Sequence, residues 1–137
     1  MRLGRLFGEL LVLLCLCAVL AGCGGKEPKG KVRDLECSVL EEDEIPQPLM
    51  EVIEENKGKE MKLSYQKDGA LYIARGFGEQ KTGGYSITAA QCYLAEDGIH
   101  VQFELLGPPA GEKPVEEPSY PYLVIQMEAV EGNIHFD

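Results

Sequence analysis

Residues 61–74 read MKLSYQKDGALYIA, and this stretch decides the fold class. Apolar and polar residues alternate from Met61 to Gln66, which is the two-residue period of a strand with one buried face. An apolar run resumes just after Asp68-Gly69, and an Asp-Gly pair between two such runs is a strong signal for a β-hairpin. The stretch therefore predicts two antiparallel strands joined by a tight turn.

Similar patterns on both sides of this hairpin predict the rest of the fold. Strands are expected over residues 35–39, 85–93, 99–106, 122–130 and 134–136. One helix is expected from Pro46 or Pro48 to about Lys57, because its apolar residues follow a helical spacing and Gly58 supplies a stop signal. We therefore expect one small α+β domain of mostly antiparallel structure, with about six or seven strands and a single helix on its N-terminal side.

Four acidic residues precede the predicted helix. Glu41 to Glu44 lack the interleaved spacing and the glycine of a calcium-binding loop. Negative charge just before a helix is stabilising, because it meets the positive end of the helix dipole. We therefore expect a structural role for this run.

The first residues of the chain have the layout of a secretory signal. Arg2 and Arg5 precede an apolar run from Leu10 to Leu20. This run is too short to span a bilayer, because a span takes about 20 apolar residues. The sequence Leu20-Ala21-Gly22-Cys23 resembles the bacterial lipobox, in which a signal peptidase cuts before the cysteine and the cysteine carries lipid. An ordinary signal peptide that ends near a cysteine is the alternative.

These features divide the chain into three parts. We expect a lipoprotein signal peptide at residues 1–22, a lipidated flexible tether at residues 23–31 and a folded domain at residues 32–137. The tether is rich in glycine and lysine and has no apolar periodicity. This interpretation places the domain at the cell membrane, on the extracytoplasmic face, held by acyl chains on Cys23.

The charge of the chain argues against several classes of partner. The chain carries 13 Lys and Arg against 23 Asp and Glu, a net charge of −10, and loss of residues 1–22 makes the remainder one unit more negative. Nucleic-acid binding depends largely on neutralising phosphates with basic side chains, so we expect no nucleic acid partner. Docking on anionic lipid headgroups is disfavoured for the same reason, which leaves the acyl chains as the membrane attachment.

Only two cysteines are expected in the folded domain. Cys15 and Cys17 lie in the predicted signal peptide and Cys23 is the predicted lipidation site, which leaves Cys37 and Cys92. In an exported protein this pair forms either a disulfide or two buried thiols, and the sequence does not decide between them. Since the sequence contains no CxxC motif and no Cys/His cluster, we expect no metal site and no cofactor.

The sequence offers no recognisable catalytic constellation. A hydrolase usually needs a nucleophile together with a histidine base. Both histidines, His100 and His135, fall within predicted strands, and no serine lies in a nucleophile-elbow motif. We expect the two histidines to be strand surface residues or hydrogen-bonded partners, and the protein not to be an enzyme.

A glycine-rich loop lies between two predicted strands at residues 76–87. Its glycines and lysine fit neither common phosphate-binding motif, and no helix follows it. Gly83-Gly84 is expected to supply a positive φ for a tight turn, with Tyr85 and Ile87 entering the core. Because loops on rigid β scaffolds commonly carry recognition residues, this loop is also a candidate for contacting another protein.

A second loop, residues 107–122, is rich in proline. Proline favours an extended, pre-ordered segment that loses little entropy when it binds a partner. The Tyr120-Pro121 bond in this loop is a candidate for the cis form. The residues that we expect to contact a partner in the two loops are Thr82, Gly83, Gly84, Tyr85, Tyr120 and Tyr122.

These loops also carry a resemblance to a known family. Residues 78–87 (GEQKTGGYSI), Gly107-Pro108 and residues 120–124 (YPYLV) are similar to the C-terminal domain of PrcB-like proteins. These are bacterial lipoproteins named for a subunit of a surface protease complex, and the resemblance covers about Leu71 to Met127. It implies a non-catalytic protein that assists the assembly, stability or surface retention of a protease.

Three functions are compatible with these patterns. The first is a membrane-anchored, non-catalytic protein-binding subunit that assists or stabilises an envelope protease complex. The second is a protease inhibitor or regulator whose glycine-rich loop blocks an active-site cleft. The third is an envelope module that binds a small ligand or a glycan in a concave, aromatic-lined pocket, although the chain contains no tryptophan.

Overall fold

Eight strands and one α-helix are present in residues 30–137, which are the residues that the computed structural model describes. In chain order the elements are β1 (Lys31–Asp34), β2 (Ser38–Val39), a 3-10 turn (Glu42–Glu44), α1 (Gln47–Asn56), β3 (Glu60–Lys67), β4 (Ala70–Phe77), β5 (Ser86–Ala95), β6 (Gly98–Leu106), β7 (Tyr122–Glu128) and β8 (Ile134–Phe136). The α+β class, the predominance of antiparallel pairing and the helix on the N-terminal side are as predicted. The predicted signal peptide (1–22), the lipidation site Cys23 and residues 24–29 of the predicted tether lie outside the described residues.

The predicted hairpin is formed by β3 and β4, which pair antiparallel with Lys67 opposite Ala70. Asp68 has a φ of 51° and Gly69 has a φ of 79°. A two-residue turn with two positive φ angles matches the twist of the flanking strands, and Asp-Gly adopts this turn readily. The local sequence therefore determines the turn and, through it, the register of both strands.

The strands form two four-stranded sheets. Sheet A has the order β1-β5-β6-β8, and sheet B has the order β2-β7-β4-β3. The pairs β5–β6, β3–β4, β4–β7 and β2–β7 are antiparallel, whereas β6 and β8 are parallel. The parallel pair is possible because the chain leaves β6, completes β7 in the other sheet and then returns to sheet A as β8.

Sheet B is the middle layer and has a packed core on each of its faces. One face packs against sheet A through a core formed by Leu71, Ile73, Ile99, Val101, Phe103, Ile125 and Met127. The other face packs against α1 and the segment before it through Ile45, Leu49, Ile53, Met61, Ala74 and Val124. Residues Val32–Asp137 thus form one compact unit of three layers, which are sheet A, sheet B and α1.

The α1 helix begins and ends near the predicted residues. Pro48 lies in its first turn, where the missing N–H of proline costs little. Leu49 and Ile53 are buried against sheet B, and Val52 is exposed on the other side of the helix. No helix in residues 30–137 is long and apolar enough to cross a membrane.

Only the end of the predicted first strand is a strand, β2 at Ser38–Val39, because this segment crosses from sheet A, where β1 ends at Asp34, to sheet B. The Leu35 N–H donates to the Cys92 carbonyl in sheet A, and the Leu40 N–H donates to the Val124 carbonyl in sheet B. Leu35 packs against the core between the sheets, but Val39 is 59% exposed. Strand β1 (Lys31–Asp34) lies before the predicted strand and is the additional one, so the prediction of six or seven strands is wrong and the domain has eight.

Candidate functional site

The two loops singled out by the sequence pack against each other. The glycine loop (residues 78–85) joins β4 to β5, and the proline loop (residues 107–121) joins β6 to β7. The Gln80 N–H donates to the Ser119 carbonyl at 2.8 Å, and the Ser119 N–H donates to the Gln80 carbonyl at 3.0 Å. This reciprocal pair is an antiparallel bridge between the two segments, which we call together the paired loops.

Two more hydrogen bonds fasten the paired loops. The Ser119 hydroxyl donates to the Thr82 carbonyl at 2.6 Å. The Gly83 N–H donates to the Val115 carbonyl at 2.9 Å. Because each loop supplies hydrogen-bond partners to the other, two irregular connections become one ordered surface.

Gly84 is a position where this arrangement requires glycine. Its φ is +88°, and an added Cβ would lie 3.1 Å from the Cβ of Pro108. Any other residue would therefore combine a left-handed backbone with a close contact against the proline loop. The positive φ expected from the Gly83-Gly84 pair is thus found at Gly84.

Tyr120 and Thr82 differ in accessibility within the paired loops. Tyr120 is exposed, its hydroxyl donates to Glu79 Oε1 at 3.2 Å, and this hydrogen bond raises the pKa of Tyr120. Thr82 is half-buried, and its hydroxyl donates to the Gly83 carbonyl at 3.1 Å. The bond between Tyr120 and Pro121 is trans, since no cis peptide occurs in the described part of the chain. Tyr120 is therefore the more accessible of the two predicted contact residues.

Tyr85 does not enter the hydrophobic core, contrary to the prediction. It is half-buried, and its ring lies 3.9 Å from the position that a Cβ on Gly107 would take. Strand β5 begins only at Ser86, and Ile87 is the residue that packs against the core. Tyr85 consequently lies at the boundary between the two loops.

Tyr122, which was predicted to contact a partner, lies outside the paired loops and next to α1. Its hydroxyl donates to Glu42 Oε1 at 3.1 Å, and its ring packs against the core beside α1. Burial raises the pKa of Tyr122 to about 12, and the hydrogen bond to Glu42 adds to the rise. The contacts of this side chain therefore place it against the 3-10 turn and α1 rather than in the paired loops.

Exposed apolar side chains are concentrated near the paired loops. Residues 30–137 contain six large apolar side chains that are exposed, and three of them are Leu106, Val115 and Tyr120. Val115 and Tyr120 belong to the proline loop, and Leu106 is the last residue of β6 just before it. Exposed apolar residues on an ordered surface are a common feature of protein-binding sites.

The strands that carry the paired loops are also the part of the chain that matches a known family. The model of a family described as PrcB C-terminal matches residues 71–128. Over these residues the chain is similar to the PrcB C-terminal domain. The match confirms the resemblance found in the sequence, and the PrcB C-terminal region, from β4 to the end of β7, contains the paired loops in full. No curated protein and no solved structure matches the chain.

Arg75 is a buried charge in the PrcB C-terminal region, close to the start of the glycine loop. Only 9% of its surface is exposed. Its guanidinium donates to the Gly76 carbonyl at 2.7 Å and to Glu60 Oε1 at 2.9 Å, and lies 4.0 Å from the centre of the Phe77 ring. A buried charge is costly unless it is paired, and these three contacts compensate it. The contact between Arg75 and Glu60 therefore stabilises the packing of the end of β4 against β3.

We expect Arg75→Lys to lower the free energy of unfolding by about 2 kcal/mol. Lysine lacks the planar fork that serves two acceptors at once, and a hydrogen bond to a charged group contributes about 1.5–3 kcal/mol. Urea unfolding followed by circular dichroism measures the loss. The matched control is Arg33→Lys, because Arg33 is exposed on β1 and the same change there should cost less than about 0.5 kcal/mol. Equal losses in both variants would contradict this role of Arg75.

Cys92 of the PrcB C-terminal region lies beside Cys37, which precedes that region. Both side chains are half-buried thiols without a disulfide between them. Burial raises the pKa of the Cys92 thiol to about 12, and the neighbouring Cys37 thiol, which is hydrogen-bonded to it, adds to the rise. The disulfide remains a prediction, and the fold places the two thiols side by side.

An open cleft of about 700 Å³ lies between β1, β7 and the Asp68-Gly69 turn. Its lining includes the charged residues Arg33, Glu36 and Glu128 and contains no aromatic side chain. Sites for small ligands are usually lined by hydrophobic and aromatic side chains. The cleft therefore does not support the aromatic-lined ligand or glycan pocket that the third hypothesis requires.

A group of polar side chains on the outer face of sheet A was not recognised from the sequence. His100 is hydrogen-bonded to Asp97 at 2.7 Å and to Asp137 at 2.8 Å, and His135 stacks on its ring. The hydrogen bond with Asp97 raises the pKa of His100, and the one with Asp137 adds to the rise. The spacing of Asp97 and His100 is visible in the sequence, but the parallel pairing of β6 with β8 that adds His135 is not a local property.

Proposed function

We propose that this protein is a membrane-anchored, non-catalytic subunit that binds an envelope protease and assists or stabilises its complex. The observation that carries the proposal is the PrcB C-terminal match over residues 71–128. The PrcB name belongs to a subunit of a protease complex, so the match supports an association with such a complex at the level of the family.

The paired loops are the proposed contact surface. The hydrogen bonds between Gln80 and Ser119 hold the loops together, so little conformational entropy is lost on binding. Tyr120 is 41% exposed, and tyrosine is a residue type that commonly anchors an interface. Val115 is 64% exposed and adds apolar surface beside it. The net charge of −10 favours a partner with a basic surface.

Attachment to the membrane is proposed through lipid on Cys23, on the extracytoplasmic face. An acidic domain gains nothing from anionic headgroups, so the acyl chains would supply the attachment. A flexible tether would keep the domain near the membrane while leaving its orientation free. Anchoring of this kind raises the effective concentration of the subunit around a protease on the same membrane.

A capture experiment tests the contact surface. The bait is the chain from residue 23 onward with Cys23→Ser, and proteins captured from an envelope extract are identified by mass spectrometry. We expect a protease to be captured. Val115→Ser combined with Tyr120→Ala should weaken its binding at least about tenfold, since anchor residues commonly contribute about 2 kcal/mol or more. The matched control is Val39→Ser, because Val39 is a valine of similar exposure, 59%, outside the paired loops.

The outcomes separate the alternatives. A peptidase assay on the captured protease distinguishes assistance, in which the added bait maintains or raises activity, from inhibition, in which it lowers activity. Equal binding by the loop variant and the Val39→Ser control would show that the paired loops are not the contact surface. A captured set without any peptidase would contradict the association with a protease.

A further inference from the structure

Three side chains with metal-binding atoms meet on the outer face of sheet A. Ile99 and Val101 are buried in the core, so His100 between them points to the opposite face. His100 on β6 lies opposite His135 on β8 in the parallel register. Asp97 belongs to the turn that precedes β6, and it is exposed.

The distances among these side chains describe a compact group of donor atoms. His100 Nε2 lies 2.7 Å from Asp97 Oδ1, and His135 Nε2 lies 3.8 Å from Asp97 Oδ2. One potential ligand atom from each residue falls within 4.8 Å of the other two, and the imidazole rings stack with their centres 4.4 Å apart. Donor atoms around a tetrahedral zinc ion lie about 3.3 Å apart. Side-chain rotations that unstack the two rings and turn both Nε2 atoms toward the Asp97 carboxylate would bring all three donor atoms onto one ion.

A second carboxylate orients His100. Asp137 Oδ2 lies 2.8 Å from His100 Nδ1, and the Asp137 N–H donates to the Val101 carbonyl at 2.9 Å, which holds the residue beside β6. With Nδ1 bonded to Asp137, Nε2 is the nitrogen that faces Asp97. Metal-binding histidines almost always have such a hydrogen-bond partner on their other ring nitrogen. The hydrogen bond between Asp137 and His100 does not involve the three donor atoms, so it is a second observation in favour of metal binding.

We propose that Asp97, His100 and His135 bind one divalent transition-metal ion of the zinc type, with Asp137 as the positioning residue for His100. Two imidazole nitrogens and one carboxylate suit Zn²⁺, whereas Ca²⁺ and Mg²⁺ prefer oxygen ligands alone. The ion takes the place of the proton between His100 Nε2 and Asp97, while His100 Nδ1 keeps its proton toward Asp137. His135 Nε2 lies 3.0 Å from the Asp97 carbonyl oxygen, and it gives up this hydrogen bond and binds the ion unprotonated, with the ring proton on Nδ1. A fourth coordination position remains for water.

The bound ion would join three separate parts of sheet A. Asp97 lies in the turn between β5 and β6, His100 lies in β6, and His135 lies in β8, a strand of only three residues. An ion that binds the folded but not the unfolded chain stabilises the fold by mass action. The ion therefore has a structural role, which is to stabilise the packing of β8 against β6 and the β5–β6 turn. This role does not depend on the proposed protease partnership.

The test is a titration of the full chain, in detergent micelles, with Zn²⁺ while the imidazole NMR signals are recorded. These signals report on this site alone, because the chain has only two histidines. Cysteines can also bind zinc, but they do not contribute imidazole signals. We expect both histidines to respond together and to saturate at one ion per chain, and we expect Ca²⁺ and Mg²⁺ to leave them unchanged.

Two variants separate a ligand from the positioning residue. Removing the partner of a metal-binding histidine typically weakens metal binding by about 10–100-fold, so we expect a loss of that size for Asp137→Asn and a larger loss for His135→Asn. The matched control is Asp43→Asn, because Asp43 is an exposed aspartate in the 3-10 turn, and this variant should bind zinc like the wild type. Circular dichroism without zinc checks that each variant is folded.

Several results would overturn the proposal. Imidazole signals that do not shift in excess Zn²⁺ would show that the cluster is only a group of hydrogen-bonded surface residues. Separate responses of the two histidines at different zinc concentrations would show two independent surface ligands. Equal weakening by Asp43→Asn and His135→Asn would show a general attraction of the cation to an acidic chain. Wild-type binding by Asp137→Asn would remove the positioning role of Asp137.

Discussion

Replacing Gly98 with alanine is expected to lower the free energy of unfolding by about 3 kcal/mol or more. Gly98 has a φ of +131°, and a Cβ at this position would lie 2.3 Å from the carbonyl oxygen of Asn133 and 3.0 Å from its nitrogen. Both obstacles are backbone atoms, so no side-chain rotation relieves the contact. The segment before β8 would have to move away, and the Ile99 N–H would lose its 2.7 Å hydrogen bond to the Asn133 carbonyl.

Denaturant unfolding of the Gly98→Ala variant measures this loss. Gly111→Ala is the control, since Gly111 also has a positive φ, +85°, but nothing lies within 4 Å of an added Cβ. The control should lose only about 1–2 kcal/mol, which is the penalty for a left-handed backbone. If Gly98→Ala loses no more than the control, the close approach between Gly98 and Asn133 does not constrain the fold.

Oxidation of Cys37 and Cys92 to a disulfide is expected to stabilise the domain by about 4 kcal/mol. The bond would close a loop of roughly fifty residues or more and so restrict the unfolded chain. In the folded domain it would join the segment that crosses between the sheets to β5. Because burial raises the pKa of Cys92 to about 12, this thiol stays protonated at neutral pH, and its uncatalysed oxidation should be slow.

The disulfide is tested on protein isolated from the cell envelope without reductant, then unfolded, alkylated and analysed by mass spectrometry. We expect Cys37 and Cys92 to be protected from alkylation, and we expect the urea midpoint to fall when a reductant is added. Cys37→Ser is the control, because the stability of this variant should not respond to the reductant. Alkylation of both cysteines in the isolated protein would contradict the disulfide.

Local signals were sufficient to predict the hairpin and most of the strands. Asp68-Gly69 adopts the turn that its side chains favour, and the apolar residues of β3 and β6 alternate in the sequence as they do in the sheets. Each of these features depends on residues that lie within a few positions of one another. Periodicity and turn chemistry are therefore enough to locate them.

The assignment of strands to sheets could not be predicted in this way. The segment around Leu35 alternates like a single strand, yet its hydrogen-bond partners, Cys92 and Val124, lie far along the chain and in different sheets. The meeting of His100 with His135 likewise requires the chain to pass through β7 before it returns as β8. Pairing between distant segments does not change the spacing of apolar residues within either segment, so this spacing cannot predict the pairing.

The candidate site was predicted as two separate loops, whereas the structure unites them. Glycine and proline patterns located both loops, but the bridge between Gln80 and Ser119 consists of backbone hydrogen bonds, which have no side-chain signature. Tyr122 is predicted with Tyr120 because both lie in the segment YPYLV (residues 120–124) that carries the family resemblance. The alternation of β7 instead turns Tyr122 toward α1, where its hydroxyl reaches Glu42.

Three of the four sheet edges are too short to recruit a strand from another molecule. β1, β2 and β8 contain four, two and three residues. The fourth edge, β3, has eight residues, and its exposed positions include Glu60, Lys62 and Lys67. Short edges and charged edge residues both discourage strand addition between molecules. Copies of the domain crowded on one surface should therefore resist aggregation through their sheets.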